Sequence, residues 1–196
     1  MQRWDLGRRW DLGFGIWGLG FILALAGFAV YVNSLSAPFT FDDDHAIVIN
    51  EQIRHLSTSL SPTEQGSPLA GRPLVSLTFA LNYAAGGLDP RGYRLVNIAI
   101  HVVNALLLFA VAARALRVRG VVNSRDVAFA IALIWMVHPL ATEPVDYVSQ
   151  RTELMIAAFF LATLYFGGSV GTWPTSADGT RPTSPTRFTS PTRPTR

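Results

Sequence analysis

Three consecutive aspartates, Asp42, Asp43 and Asp44, follow within a few residues of the most hydrophobic run in the chain. A carboxylate placed where a membrane ends can take a proton from a hydroxyl group and so act as a general base. The same residues have a second explanation, because acidic side chains also cap helices, and a helix is predicted to begin near His45. The spacing alone leaves both interpretations open.

A second group of ionisable side chains crowds the short turn "HPLATEPVDYVSQRTE" between two hydrophobic segments. Such groups are candidates for a functional site when they face the interior of a helix bundle. The guanidinium of Arg151 offers a planar fork that suits phosphate, and Arg72, just before a predicted helix N-terminus, offers the same. The residues predicted to bind substrate are Arg72, His138, Glu143 and Arg151.

The composition excludes several other kinds of chemistry. The chain has no cysteine, and all 16 of its basic residues are arginine, so thiolate nucleophiles, disulfides and Schiff-base lysines are excluded. The histidines lie far apart in the sequence, and no metal site or cofactor is predicted. His101 and Asn104, one helical turn apart in a hydrophobic segment, are better explained as hydrogen-bonding groups between helices.

Hydrophobic helices have to position these polar side chains. The chain is 49% hydrophobic and 15% charged, whereas soluble proteins average about 25% charged residues. Apolar segments predict four membrane spans, at 14–36, 92–117, 126–142 and 152–170. The region 37–91 between the first two is more polar, and Pro73 and Gly86 predict the start and end of a helix lying in the membrane interface. The predicted fold is therefore all-α, with about four transmembrane helices.

The arginines predict the orientation of these spans. They concentrate in residues 1–13, between the second and third spans, and in the tail 171–196. These regions lie on one side of a four-span bundle, and by the positive-inside rule that side is the cytoplasm. Both termini are then cytoplasmic, and the loop 37–91 is external, in a periplasm or lumen. The tail is rich in proline, threonine and arginine and is predicted to be disordered, with no nucleic-acid partner.

Four stretches, taken in order, resemble the N-terminal part of the transmembrane and tetratricopeptide-repeat O-mannosyltransferases. They are "FTFDDDHAIVIN", "GRPLVSLTFALNY", "GLDPRGYRLVNIAIHVVNALL" and "HPLATEPVDYVSQRTEL", and the likeness runs from Asn33 to Gly168. This family is of the GT-C class of membrane glycosyltransferases. The resemblance implies transfer of a sugar, here mannose, from a polyprenyl-phosphate donor in the membrane lipid to a serine or threonine hydroxyl of an acceptor protein. The transfer would take place on the external face.

The resemblance also implies roles for particular residues. An acidic pair in the first external loop corresponds to Asp42 and Asp43, and Asp44 is then a local addition. One member of the pair would take the proton of the acceptor hydroxyl, while Arg72 or Arg151 would balance the charge of the leaving phosphate. The lipid-linked sugar is a substrate, so no cofactor is implied.

The family's members have many more spans, followed by a long array of helical repeats. The chain is therefore expected to be a fragment with a truncated GT-C-like bundle, inactive on its own. The alternative is a small transmembrane subunit without catalytic activity. It would pack within a larger membrane complex through spans two to four and use the three aspartates as polar contacts.

Overall fold

The part of the chain that the structure describes is a bundle of helices. The structure is a computed structural model, and it describes residues 15–61 and 69–170. Within these residues there is no strand, which confirms the all-α prediction for them. The predicted cytoplasmic N-terminus 1–13 and the predicted disordered tail 171–196 lie outside the described residues.

Seven α-helices occur in this part of the chain. They are α1 Ile16–Tyr31, α2 Leu56–Ser59, α3 Pro73–Gly86, α4 Pro90–Val118, α5 Ser124–Met136, α6 Glu143–Asp146 and α7 Arg151–Val170. Shorter 3₁₀ turns lie at Val32–Ser36, Glu51–Arg54, Pro139–Ala141 and Val148–Gln150, and a π-helical turn lies at Asp44–Val48. The helix predicted to begin at Pro73 is thus present as α3.

The longest helix, α4, forms the centre of the bundle and contacts α1, α3, α5, α6 and α7. Asp89 caps its start, where the carboxylate accepts a hydrogen bond of 3.0 Å from the Arg91 backbone N–H. Pro90 occupies the first helical position, at which the missing N–H would have no partner in any case. With 29 residues, α4 is about 44 Å long. It can cross a hydrocarbon core of about 30 Å and extend beyond it.

Small side chains allow α1, α4 and α5 to approach one another closely. Their shared core contains Leu19, Leu23, Ala105, Phe109, Ala113, Ala128, Ala132 and Met136. Gly27 belongs to the same contact, since a Cβ atom there would lie 2.7 Å from Met136 Sδ and 3.0 Å from Val102 Cγ2. Helices in a membrane associate through such close packing, because lipid offers no hydrophobic force to drive them together.

A second core lies in the region that precedes α4. Its buried side chains are Ala46, Ile47, Ile53, Leu69, Val75, Phe79, Ala80, Tyr93 and Val148. Because Val148 comes from the turn before α7, this core joins the predicted external loop to the segment that precedes α7. The described parts of the predicted loop, 37–61 and 69–91, therefore form a folded cap on the helix bundle, built around α3.

By length and composition, the described segments include two helical stretches that could cross a membrane, Trp17–Ser36 and Pro90–Val118. Ser124–Met136 and Pro139–Asp146 could together form a third, although they are bent by 62° at their junction. The bend falls at Pro139, which cannot continue a helical hydrogen-bond ladder. The helix α7, which begins with Arg151, is not among these candidates. The four-span arrangement remains a prediction.

Candidate active site

A cavity of about 800 Å³ opens between the segment that follows α1 and the turn that precedes α7. Its ionisable and aromatic lining residues are Phe41, Asp42, Arg94, Glu143, Asp146 and Tyr147. We call it the acidic cavity, because three of these side chains are carboxylates and one is a guanidinium. It brings together the two polar groups that the sequence places about 100 residues apart.

The neighbouring aspartates Asp42 and Asp43 lie in different environments. The Asp42 side chain is exposed and lines the acidic cavity, whereas Asp43 is fully buried behind the wall. Asp43 Oδ1 accepts a hydrogen bond of 2.7 Å from the Ser149 backbone N–H, and Oδ2 accepts one of 3.3 Å from the Thr40 backbone N–H. Asp43 therefore fastens the loop to the turn before α7, while Asp42 is free to meet a substrate.

The arginine of the acidic cavity is Arg94, which was not among the predicted site residues. It lies in the first turns of α4, is only 2% exposed, and donates hydrogen bonds to the backbone carbonyls of Ala37, Pro38 and Asp146. The bond from Nη2 to Pro38 measures 2.6 Å. One signal could have identified it, since an ionisable residue at the start of an apolar helix is a functional candidate by default.

Asp146 contributes an acceptor that the fold leaves unused. Its backbone carbonyl accepts a hydrogen bond of 3.3 Å from Arg94 Nε. Its side-chain Oδ1 is buried and has no hydrogen-bond partner among the described residues. A buried acceptor without a partner is costly, and the Asp146 side chain as a whole still lines the cavity. Asp146 thus joins Asp42 and Glu143, whose exposed side chain lines the same cavity, as an acceptor for hydroxyl groups.

Arg151 lies in the protein interior and not in the acidic cavity. Its side chain has no exposed surface, and its donors bond to Asn97 Oδ1 at 2.7 Å, Asn82 Oδ1 at 2.8 Å, Tyr93 O at 2.9 Å and Thr78 Oγ1 at 3.1 Å. The guanidinium also lies 4.3 Å above the Phe79 ring centre. Arg151 therefore joins α3, α4 and α7, and this arrangement leaves it no surface with which to contact phosphate.

The two other predicted binding residues also lie apart from the acidic cavity. Arg72 stands exposed at the start of α3 and donates a hydrogen bond of 3.3 Å to Thr152 Oγ1. His138 lines a different, mainly apolar cavity of about 610 Å³, which it shares with His101, Asn104 and Trp135. Its Nδ1 accepts a hydrogen bond of 3.2 Å from the Leu140 backbone N–H, so it caps a turn. Of the four residues predicted to bind substrate, only Glu143 lines the same cavity as Asp42.

Several known proteins are similar in sequence to this chain. Protein O-mannosyl-transferase Tmtc1 of Drosophila melanogaster is 38% identical over 154 residues, and TMTC3 of Mus musculus is 38% identical over 145. TMTC2 of Homo sapiens is 35% identical over 150 residues. The predicted resemblance is confirmed: the chain is similar to the protein O-mannosyl-transferases. No family model and no solved structure matches the chain.

The similarity to these transferases covers much of the chain but little of the relatives. The matched residues make up 74%, 68% and 70% of the chain for the three proteins in turn. The same matches span only 17%, 15% and 17% of the relatives' own lengths. The activity of a complete O-mannosyl-transferase is therefore a matter for proposal in this chain.

Proposed function

We propose that the chain is an N-terminal portion of a GT-C type membrane glycosyltransferase. The complete enzyme transfers mannose from a polyprenyl-phosphate donor to a serine or threonine hydroxyl of a protein, on the external face of the membrane. The observation that carries the proposal is the acidic cavity. It presents three carboxylates beside the starts of the apolar helix α4 and of α7, where a lipid-linked sugar could meet a water-soluble acceptor. The names of the relatives support the sugar and the reaction class.

In this reaction the acceptor oxygen forms a bond to the anomeric carbon of the sugar while the bond from that carbon to the donor phosphate breaks. The hydroxyl proton passes to a carboxylate, and the lipid phosphate leaves with the bonding electrons. Asp42 is the candidate base, because its exposed side chain lines the cavity. Proton removal by a positioned base typically contributes about 10²–10⁴ in rate. Asp43 positions Asp42 through the backbone and does not itself reach the cavity.

The leaving phosphate needs a positive charge nearby. The sequence predicts Arg72 or Arg151 for this role, but neither lines the acidic cavity, whereas Arg94 does. We therefore assign this role to Arg94, which acts through its charge from the cavity wall, because three of its donors already bond to the backbone. The lipid portion of the donor would extend along the apolar helices below.

The test grafts residues 33–168 into Drosophila melanogaster Tmtc1 in place of the matching segment. Transfer of mannose from polyprenyl-phosphate mannose to a serine- and threonine-containing peptide is then measured. Asp42→Asn should lower the rate about 10²–10⁴-fold, because an amide keeps the shape of the carboxylate but cannot act as a base. Asp44→Asn is the matched control, since Asp44 is exposed but does not line the cavity, and it should stay within a few-fold of the unsubstituted graft.

The expression level and membrane insertion of each graft are measured alongside, so that a lost protein is not mistaken for lost chemistry. Full activity of the Asp42→Asn graft would show that Asp42 is not the catalytic base. The interpretation of the aspartates as polar contacts in a non-catalytic subunit would then be the better one.

A further inference from the structure

The backbone at Phe41 adopts a conformation that is unusual for a residue with a bulky side chain. Its φ angle is +52°, in the left-handed region, where the Cβ atom crowds the following carbonyl. Glycine and asparagine visit this region readily, but a phenylalanine there is an outlier. Residues held in this way occur where the surrounding structure over-determines them, often at binding sites.

The surrounding turn shows what holds Phe41 in place. The Asp43 backbone N–H donates to Thr40 O at 3.1 Å, and the Asp44 backbone N–H donates to Phe41 O at 3.2 Å. The buried Asp43 carboxylate secures the same turn through Thr40 N and Ser149 N. The backbone is thus fixed on both sides of Phe41, and the conformation does not depend on burial of its ring.

The ring itself is directed into the open. The Phe41 side chain is 79% exposed, although it is one of the largest apolar groups in this region. It lies next to the Tyr147 ring, with 5.8 Å between the ring centres and 58° between the planes. Both residues line the acidic cavity beside Asp42. The two tilted rings therefore form an aromatic notch at its wall.

We infer that Phe41 and Tyr147 form a stacking shelf, an aromatic surface on which a pyranose ring packs in the acidic cavity. The inference rests on the proposed function and names residues that would bind its sugar. The face of an aromatic ring is electron-rich and attracts the weakly positive C–H groups of a sugar. The sugar's hydroxyl groups would donate hydrogen bonds to the carboxylates of Asp42 and Asp146. Phe41 and Tyr147 would thus contact the apolar face of the sugar, while Asp42 and Asp146 would contact its hydroxyl groups.

Exposed aromatic residues near a membrane have another common role, as anchors in the interface. Two observations favour the sugar. An anchor has no need of a fixed, strained backbone, whereas a shelf has to hold one orientation. The rings also stand among three carboxylates, which supply a sugar's hydroxyl groups with hydrogen-bond acceptors that a membrane anchor does not need.

The experiment uses the 196-residue chain in lipid nanodiscs free of glycolipid and of sugar-based detergent. The probe is methyl α-D-mannopyranoside, and its binding is followed by saturation-transfer NMR. Phe41→Leu keeps the apolar character but removes the flat ring face, so binding should weaken about three- to tenfold. Phe41→Trp should retain binding. The matched control is Phe160→Leu, at an exposed phenylalanine on α7 that lines neither cavity, and it should leave mannoside binding unchanged.

A further variant separates binding from folding. Phe41→Gly removes the ring and also relieves the positive φ angle. It should hold or raise the thermal midpoint of the chain while it weakens mannoside binding. A lower midpoint would overturn the inference, because Phe41 would then stabilise the fold rather than serve a ligand.

The remaining outcomes separate this inference from the proposed function. If Phe41→Leu binds the mannoside like the unsubstituted chain while Asp42→Ala binds it more weakly, the shelf is overturned and the sugar site stands. If the unsubstituted chain gives no saturation transfer to the mannoside, the shelf is overturned, and the proposed function is decided by the Asp42→Asn graft. If Phe41→Leu only weakens association with the lipid and leaves mannoside binding unchanged, Phe41 is a membrane anchor and the shelf is overturned.

Discussion

At the residue scale, the acidic cavity depends on the carboxylate of Asp43, which does not line the cavity. Asp43 is fully buried, yet it holds the two segments that form the cavity walls through its bonds to Thr40 N and Ser149 N. A charged acceptor that satisfies two backbone N–H groups contributes more than a neutral one. The position of Asp42 at the cavity wall is therefore a consequence of the bonds made by Asp43.

Substitution of Asp43 by asparagine should separate these two roles. The amide retains one acceptor oxygen but places an NH₂ group against a backbone N–H, so one of the two bonds is lost. Removal of a hydrogen bond to a charged group costs about 1.5–3 kcal/mol. We expect Asp43→Asn to lower both the thermal midpoint of the chain and the transfer rate of the graft, whereas Asp42→Asn lowers the rate alone. Equal midpoints for the two variants would contradict the positioning role of Asp43.

Arg151 offers a second test at this scale. Its guanidinium makes four hydrogen bonds to groups on α3 and α4. A lysine carries three donors on a single nitrogen and cannot reproduce this geometry. Arg151→Lys should destabilise the chain by about 2 kcal/mol or more, measured by thermal or denaturant unfolding in micelles. Arg125→Lys, at an exposed position, should have little effect, and similar losses in both variants would argue against the buried network.

The sequence was sufficient to predict several residues of the site, but not which role each of them plays. Asp42 and Glu143 were predicted site residues, and the structure places both at the acidic cavity. The fork of Arg151 suits a phosphate as well as it suits amide and carbonyl oxygens. Which of these it meets depends on how α3 and α4 converge. Arg94 lies inside the predicted span 92–117, and its partners at Ala37, Pro38 and Asp146 are distant in sequence, so its place in the site depends on the fold.

At the element scale, helix starts and ends were more predictable than helix packing. Pro73 and Pro90 stand at first helical positions, and the chain turns at Gly87 with φ +62°, which glycine adopts without strain. The segment 126–142, in contrast, is predicted as one span, and in the structure α5 ends at Met136 before a bend, so a span there would be a bent pair of helices. After the bend, Tyr31 Oη and His101 Nε2 each lie 3.0 Å from the Met136 carbonyl oxygen. Pro139 accounts locally for the break in the helix, whereas the two side chains that contact the Met136 carbonyl are distant in sequence.

The packing of α1 on α4 and α5 can be tested at Gly27. A leucine there would run into Met136 and Val102, since even a Cβ atom approaches Met136 Sδ to 2.7 Å. Overpacking of this kind typically costs about 1–3 kcal/mol. Gly27→Leu should therefore lower the thermal midpoint. Gly167→Leu is the matched control, because a Cβ atom at Gly167 in α7 meets nothing within 4 Å. If both variants melt alike, α1 does not pack as the structure has it.

At the scale of the whole molecule, the carboxylates of the acidic cavity and the arginines of the last turns of α4 lie at opposite ends of that helix. The acidic cavity surrounds Arg94 near the start of the helix. The other end carries Arg114 and Arg117, and Arg114 donates a hydrogen bond to the Gly168 carbonyl near the end of α7. Arginine clusters remain on the cytoplasmic side of a membrane. The arginines at the end of α4 thus predict that the start of the helix, with the acidic cavity, lies on the external face.

Cysteine labelling can test this orientation without interference, since the native chain contains no cysteine. Ser61 is exposed in the cap that precedes α4, and Val122, 82% exposed, lies beyond the other end of the helix. In sealed right-side-out vesicles, a membrane-impermeant maleimide should label Ser61→Cys at once. It should label Val122→Cys only after the vesicles are opened, because α4 and its arginines separate the two positions. Labelling of Val122→Cys alone in sealed vesicles would reverse the orientation and place the acidic cavity in the cytoplasm. Prompt labelling of both positions would mean that α4 does not cross the membrane, and a lipid-linked donor would then have no route to Asp42 along that helix.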